Sequence, residues 1–369
     1  MITKLLTLLL TLFLIPTASA NPAVNLDIQS IDISTSSTKG GNQRGAALAV
    51  LADGSLLLGG GKSGGEVFTY NIASKSLKKI ATLIPANRRT NDSRFAINDI
   101  GVLSQSSTAV KFLVSYPRLG SERNCVEVVV EQLDLNRTTQ KVKRGGNWLI
   151  TKPCVPISAV QHTSGRFAVI DQTSAYVTIG DLGYPQIGDR KKRGTLGSVM
   201  QISANKITQI SSGHRNAQGI LLISKDLYTS EHGPRGGDEL NLIQQGIDYG
   251  WPTVTYGEKY SFGDYVKPTN PESHNGFRKP LTYWVPSVAP TELIHLPADT
   301  AWGQWSSSIV MGTLREESLI FIQMKNKRVV GQMQTVNVNE RIRDMDLTKD
   351  GSIIATTDSG KLLIINPQN

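Results

Sequence analysis

The same strand–turn–strand unit stands near both ends of the chain. Leu51-Ala52-Asp53-Gly54-Ser55-Leu56-Leu57 continues through Gly65 and Val67-Phe68 to Asn71, and Asp350-Gly351-Ser352-Ile353-Ile354 continues through Gly360 and Leu362-Leu363 to Asn366. Asp-Gly between apolar runs signals a hairpin, because both residues tolerate the backbone angles of a tight turn. Residues 167–180 form a weaker copy, 306–322 add another pair of short strands, and an alternating segment at 24–33 starts the fold. Elsewhere the apolar or alternating runs are short and separated by Gly, Asn, Asp, Ser and Pro, with almost nothing of helical period. The chain reads as all-β. One unit recurring through a long chain implies radial repetition, as in a β-propeller, with a two-domain β-sandwich as the competing arrangement.

The ends and the composition narrow the class. Residues 1–20 combine Lys4, an apolar run from Leu5 to Ile15 and the small-residue site Ala18-Ser19-Ala20, the pattern of a cleaved signal peptide. No twin arginine precedes the apolar run and no cysteine follows it, so the expectation is Sec-type export, to a periplasm or outside the cell. No later stretch approaches the roughly 20 apolar residues of a membrane span. Residues 21–369 carry no low-complexity linker and are read as a single domain. The only cysteines, Cys125 and Cys154, are expected to form one disulfide in an exported chain; a zinc site is disfavoured. The formal net charge is +9, yet only Lys191-Lys192-Arg193 forms a tight basic run. That disfavours a nucleic-acid partner and leaves the surplus for an anionic cofactor, an acidic partner or an anionic surface. No strand–GxGxxG–helix unit is present, which argues against a nicotinamide enzyme.

The chemistry concentrates between Gly213 and Trp251. Gly213-His214-Arg215-Asn216-Ala217-Gln218-Gly219 is followed by Ser230-Glu231-His232-Gly233-Pro234-Arg235-Gly236-Gly237-Asp238-Glu239-Leu240-Asn241, then by Tyr249-Gly250-Trp251-Pro252. Glycine and proline fix unusual backbone angles, so carbonyls and polar side chains can be aimed at one point. These motifs resemble the soluble aldose sugar dehydrogenases of the glucose/sorbosone dehydrogenase family, which use pyrroloquinoline quinone (PQQ). The likeness is strongest from about His162 to the C-terminus. It implies a six-bladed β-propeller with the site at the mouth of its central channel.

The resemblance also implies roles. His162, in Gln161-His162-Thr163-Ser164-Gly165-Arg166 before a strand pair ending in Gly180-Asp181, matches a general base, with Asp181 as the carboxylate that orients its ring. An imidazole near neutral pKa suits removal of a hydroxyl proton. Arg215 and Asn216 match a pair that contacts the quinone, where a fixed guanidinium stabilises developing negative charge. One calcium is implied at the carbonyls of Gly233 and Pro234, and a second, structural one at Glu239 and the Tyr249 backbone; turn carbonyls and carboxylates are the ligands a hard cation takes. Tyr260, with Tyr256, offers an aromatic face to a flat cofactor, while Trp284 stacks on a sugar or packs in the core. Arg315, Arg341 and Arg343 match basic positions, as a cofactor with three carboxylates requires.

One loop departs from the family. Ser93-Arg94-Phe95-Ala96-Ile97-Asn98-Asp99 stands where the family carries a glycine-rich run whose Gln contacts the quinone, and Arg94 takes about that place. The expected activity is oxidation of an aldose at C1 to the lactone, with electrons passed to a separate quinone or cytochrome. The alternatives are a non-catalytic exported propeller that binds a glycan or protein, and an enzyme for another alcohol.

Overall fold

The computed structural model describes residues 24–33, 44–156, 161–261, 266–298 and 300–368. The expected signal peptide at 1–20 and the Ser/Thr/Gly-rich segment at 34–41 lie outside them. The described residues form six antiparallel-based sheets of four or five strands, two small two-stranded sheets and two 3-10 turns. The six sheets are blades of one propeller.

Blades 1 to 5 use strands in chain order. Blade 1 runs Ala47–Val50, Leu56–Gly60, Glu66–Asn71 and Ser76–Thr82. Its second strand is buried throughout and its fourth mostly exposed. Middle strands are covered on both faces by neighbouring blades and so read as continuous apolar runs, whereas outer strands face water. Blade 2 starts at Asp99–Gln105, blade 3 at Ser164–Asp171, blade 4 at Ala217–Ile223, blade 5 at Pro290–His295 and blade 6 at Ile342–Leu347. These six first strands touch in a closed ring around the axis.

Closure is made by the two chain ends. Leu26–Asp32 pairs antiparallel with Lys361–Pro367, from Leu26 opposite Pro367 to Asp32 opposite Lys361. The N-terminal strand thereby becomes the outer strand of the blade built by the C-terminus, which leaves the ring without an open edge. The anticipated hairpins are present: Ala47–Val50 pairs with Leu56–Gly60, and Ile342–Leu347 with Ile353–Thr357. The pair at 306–322 is Ile309–Thr313 with Ser318–Ile322, the second and third strands of blade 5.

Cys125 and Cys154 are bonded, with Cα atoms 5.5 Å apart. The bond lies within blade 2, where Val155 and Pro156 pair back onto Val126 and Cys125. Among the described residues no helix is long and apolar enough to cross a membrane.

Among the described residues, the axis holds a buried cation surrounded by acids. Arg166, on the first strand of blade 3, donates to Glu292 of blade 5, Asp344 of blade 6 and the Asn98 carbonyl, and lies 3.9 Å from Asp99 of blade 2. The ligand atoms of Asp99, Glu292 and Asp344 lie within 4.8 Å of one another, a density of charge that suits a metal ion. Here a guanidinium serves them and ties four blades together. Burial pushes the Glu292 carboxyl up to about 7 against the pull of Arg166, and Asp344 well above the usual range for the same reason.

Candidate active site

In a propeller blade the loop entering the first strand and the turn between the second and third strands lie on the same face. His162 precedes the first strand of blade 3, Arg215 and Asn216 that of blade 4, and Arg341 that of blade 6. Asp181, Gly233, Pro234 and Arg315 occupy turns between second and third strands. Topology alone therefore gathers residues spread over about half the chain onto one mouth of the channel.

His162 is held under constraint. Its φ is +53°, in the left-handed region that only a minority of non-glycine residues occupy. Gly180 stands opposite, where a Cβ would overlap the His162 carbonyl oxygen, so only glycine lets the two backbones approach. His162 Nδ1 lies 2.7 Å from Asp181 Oδ1. Asp181 is fully buried and also accepts from Gly183 N–H at 2.7 Å and Trp251 Nε1–H at 2.8 Å. Burial works to raise its carboxyl, but His162, Arg215 and the Gly183 N–H outweigh it and hold Asp181 below the usual carboxylate range. An ionised Asp181 accepts a hydrogen bond from Nδ1–H, which leaves Nε2 as a lone-pair acceptor. Burial, then the charge of Arg215, hold the imidazole below its ordinary value against the pull of Asp181, so it is neutral at pH 7.

Arg215 is almost completely buried and fixed from several sides. Nη1 donates to the carbonyls of Gly233, at 2.9 Å, and His232, at 3.2 Å. The guanidinium lies 5.4 Å from the centre of the Trp251 ring, a cation–π contact. Its backbone N–H donates to Glu231, whose other oxygen meets His214 Nδ1 at 2.8 Å. Asn216 Oδ1 accepts from Gln218 Nε2 at 2.8 Å and Ser164 Oγ at 3.2 Å.

Arg341 and Arg343 alternate along the opening of blade 6 and converge on one carboxylate. Asp358 takes two hydrogen bonds of 2.9 Å from Arg343 and one of 3.1 Å from Arg341 Nε. Both arginines line a cleft of about 540 Å³ together with Arg44 and Arg94. Arg94 is paired at 2.6 Å with Asp92 and contributes to the depressed pKa of His162.

Gly233, Pro234, Glu239 and Tyr249 line a second, much smaller cavity of about 20 Å³ with Arg215, Glu231, His274 and Trp251. That volume suits a single ion or water. Its polar lining mixes the carboxylates of Glu231 and Glu239 with Arg215, His232 and His274, and beside Glu239 the buried Asn241 Oδ1 has no hydrogen-bond partner among the described residues. The two carboxylates are ligands that a hard cation such as calcium takes, and the cation would share the cavity with the guanidinium of Arg215. Glu239 already meets His274 Nε2 at 2.7 Å and Asn241 Nδ2 at 3.0 Å.

The remaining candidates are less central. Tyr260 and Arg315 line neither cavity; Arg315 is exposed on the turn of blade 5. Tyr256 is stacked between Tyr283, with centroids 3.9 Å apart, and His274, at 4.9 Å. Trp284 packs against the blade 4–5 core. Sequence reasoning missed Arg44, Asp358 and the service of Trp251 to Asp181. Only Trp251 stood in a motif that could have signalled it.

The fold and this face define a propeller with a buried imidazole–carboxylate pair, a fixed guanidinium and an arginine-lined cleft. Residues 42–364 match the family model of Glucose / Sorbosone dehydrogenase, and the chain belongs to that family. Aldose sugar dehydrogenase YliI of Escherichia coli is 36% identical over 165 residues, spanning 43% of this chain and 44% of that protein. Quinoprotein glucose dehydrogenase B of Acinetobacter calcoaceticus is 27% identical over 180 residues, 39% of this chain and 37% of that one. Each alignment thus spans less than half of that relative's length. Among solved structures, the apo-form of the soluble aldose sugar dehydrogenase of E. coli superposes with a TM-score of 0.77 at 24% identity, covering 93% of this chain and all of that one. The PQQ-bound aldose sugar dehydrogenase of Streptomyces coelicolor gives 0.68 at 19%, covering 94% of this chain and all of that one. Both show the shared fold.

Proposed function

We propose that the protein is a quinoprotein dehydrogenase that oxidises an aldose at C1 to the lactone. The observation that carries the reading is the His162–Asp181 pair, with Nε2 unpartnered among the described residues, on the same face as Arg215 and the Arg341–Arg343 cleft. Family membership and the PQQ-bound structural neighbour support the cofactor. PQQ, when bound, supplies the acceptor for the hydride that leaves C1.

The protein's own groups do the rest. Arg341 and Arg343, braced by Asp358, present donors to the cofactor's carboxylates, and their geometry is set before the ligand arrives. Arg215, immobilised by the Gly233 carbonyl and Trp251, offers fixed positive charge where negative charge develops, with Asn216 beside it. His162 Nε2 removes the C1 hydroxyl proton, and Asp181 stabilises the imidazolium that results. Burial of the pair keeps the base neutral between turnovers. Gly233, Pro234, Glu239 and Tyr249 would hold calcium in the small cavity, where it adds Lewis acidity and rigidity. Tyr260 would offer an aromatic face to the cofactor, and the exposed Arg315 would act at the rim.

On this reading the pattern at 1–20 acts as a signal peptide for export to a periplasm or outside the cell, residues 21–369 work as one domain, and a separate quinone or cytochrome would take the electrons. Titrating the purified protein with PQQ and calcium, then adding a panel of aldoses while following quinone absorbance, tests the reading. Saturable binding with aldose-dependent bleaching supports it. Failure to bind PQQ at micromolar protein overturns it in favour of a binding propeller.

A further inference from the structure

We propose that Arg44 is an additional carboxylate receptor of the cleft, gripping PQQ together with Arg341 and Arg343. The inference rests on the quinoprotein reading and extends it to a residue that no motif marks.

Arg44 enters blade 1 at the same mouth as the other site residues. The next residue fixes its place. Gly45 N–H donates to Asp358 Oδ1 at 2.9 Å, and a Cβ on Gly45 would stand 2.5 Å from the Thr357 carbonyl oxygen and 2.9 Å from Arg343 Cβ. Only glycine lets this backbone lie so close to Arg343, and the approach sets the two arginines side by side.

Arg44 is poorly satisfied there. Nη2 donates to Asn98 Oδ1 at 3.1 Å, and Nε is enclosed without a hydrogen-bond partner. Among the described residues no carboxylate lies within ion-pair distance of it, because Asp358 is consumed by Arg341 and Arg343. Burial and the neighbouring Arg343 pull its pKa down to about 9, against the weaker help of Asp358, yet it remains charged at pH 7. A guanidinium held beside another, with one neutral amide as its only side-chain hydrogen-bond partner among the described residues, is costly in the empty protein. An anionic ligand removes that cost. Asn98 Oδ1 also accepts from Thr163 Oγ1 at 3.1 Å, so the same amide links Arg44 to the residue next to His162.

Two readouts of opposite sign separate this role from a structural one. In Arg44→Gln the apo-protein should melt at the same or a higher temperature, since an unpaired buried charge is gone. Its affinity for PQQ, measured by fluorescence quenching in calcium-containing buffer, should fall by about tenfold to a hundredfold. The dependence of affinity on salt should also become shallower than in the wild type. Arg44→Lys should recover part of the affinity. A lower apo melting temperature with unchanged affinity and salt slope would overturn the proposal while leaving the enzyme reading intact. Absence of PQQ binding by the wild type would remove both.

Discussion

Asp181→Asn separates orientation of the base from mere filling of a buried space. Asp181 accepts three hydrogen bonds, from His162 Nδ1 and Gly183 N on one oxygen and from Trp251 Nε1 on the other. An amide has one acceptor oxygen and one donor group. If its oxygen faces His162 and Gly183, its NH₂ confronts the Trp251 N–H. If it is turned over, the NH₂ confronts Gly183 and drives His162 into the tautomer with the proton on Nε2, which is no base. Either way at least one buried donor loses its acceptor, at about 1–3 kcal/mol. A fall of a few degrees in Tm is expected. Loss of an oriented general base should cost about 10²- to 10⁴-fold in the rate of sugar-dependent quinone reduction. The pH profile gives a sharper readout. Asp181 raises the pKa of His162 while burial and Arg215 lower it from 6.5, so removing the carboxylate moves the acid limb of kcat/KM to lower pH. Stopped-flow reduction of PQQ-loaded protein across pH 4.5–8 measures both. A wild-type rate with an unmoved acid limb, alongside the lower Tm, would refute the orienting role.

Glu292 is a pH-dependent element of stability. Its folded pKa, raised from 4.5 to about 7, means that the folded state holds a proton the unfolded state releases in that window. The contribution is full below pH 4.5 and is lost as pH rises to 7, on the order of 3 kcal/mol. Glu292→Gln should reduce the difference between urea melts at pH 4.5 and pH 7, and parallel melts for both proteins would contradict this. Reducing the Cys125–Cys154 bond, which spans a separation of 29 residues, should destabilise the protein by about 3 kcal/mol in the chain-entropy model, readable as a lower Tm under dithiothreitol. Chelation should lower the Tm of the calcium-loaded wild type by the equivalent of about 2.7 kcal/mol if calcium is held at a hundred times its Kd. Glu239→Gln should lose most of that response. An identical chelator shift in both would remove Glu239 from the calcium set.

The hairpins were legible because Asp53-Gly54 and Asp350-Gly351 are local turn chemistry, and Gly54 and Gly351 take φ of +80° and +88°. Strand order was less so. Nothing in residues 306–322 reveals that they supply the second and third strands of a blade, since every antiparallel pair shares one period. The pairing of Leu26–Asp32 with Lys361–Pro367 joins opposite ends of the chain, and its register follows from ring closure. In the site, His162 and Asp181 were marked by motif, and the structure brings them to 2.7 Å. Arg44 was invisible: it is a lone arginine before a small-residue run, and its meaning comes from Arg343, 299 positions later, beside which Gly45 sets it. Asp358 stands in no motif either, and its role comes from Arg341 and Arg343, which converge on it from the opening of the same blade.

The central claim is that His162 takes the sugar's proton while PQQ accepts the hydride. It is tested most directly by loading wild type and His162→Gln with PQQ to equal occupancy and adding an aldose anaerobically. The account predicts rapid bleaching of the quinone in the wild type and a rate lower by at least about a hundredfold in the variant, at unchanged PQQ affinity. Equal bleaching in both would contradict the assignment of His162 as the base.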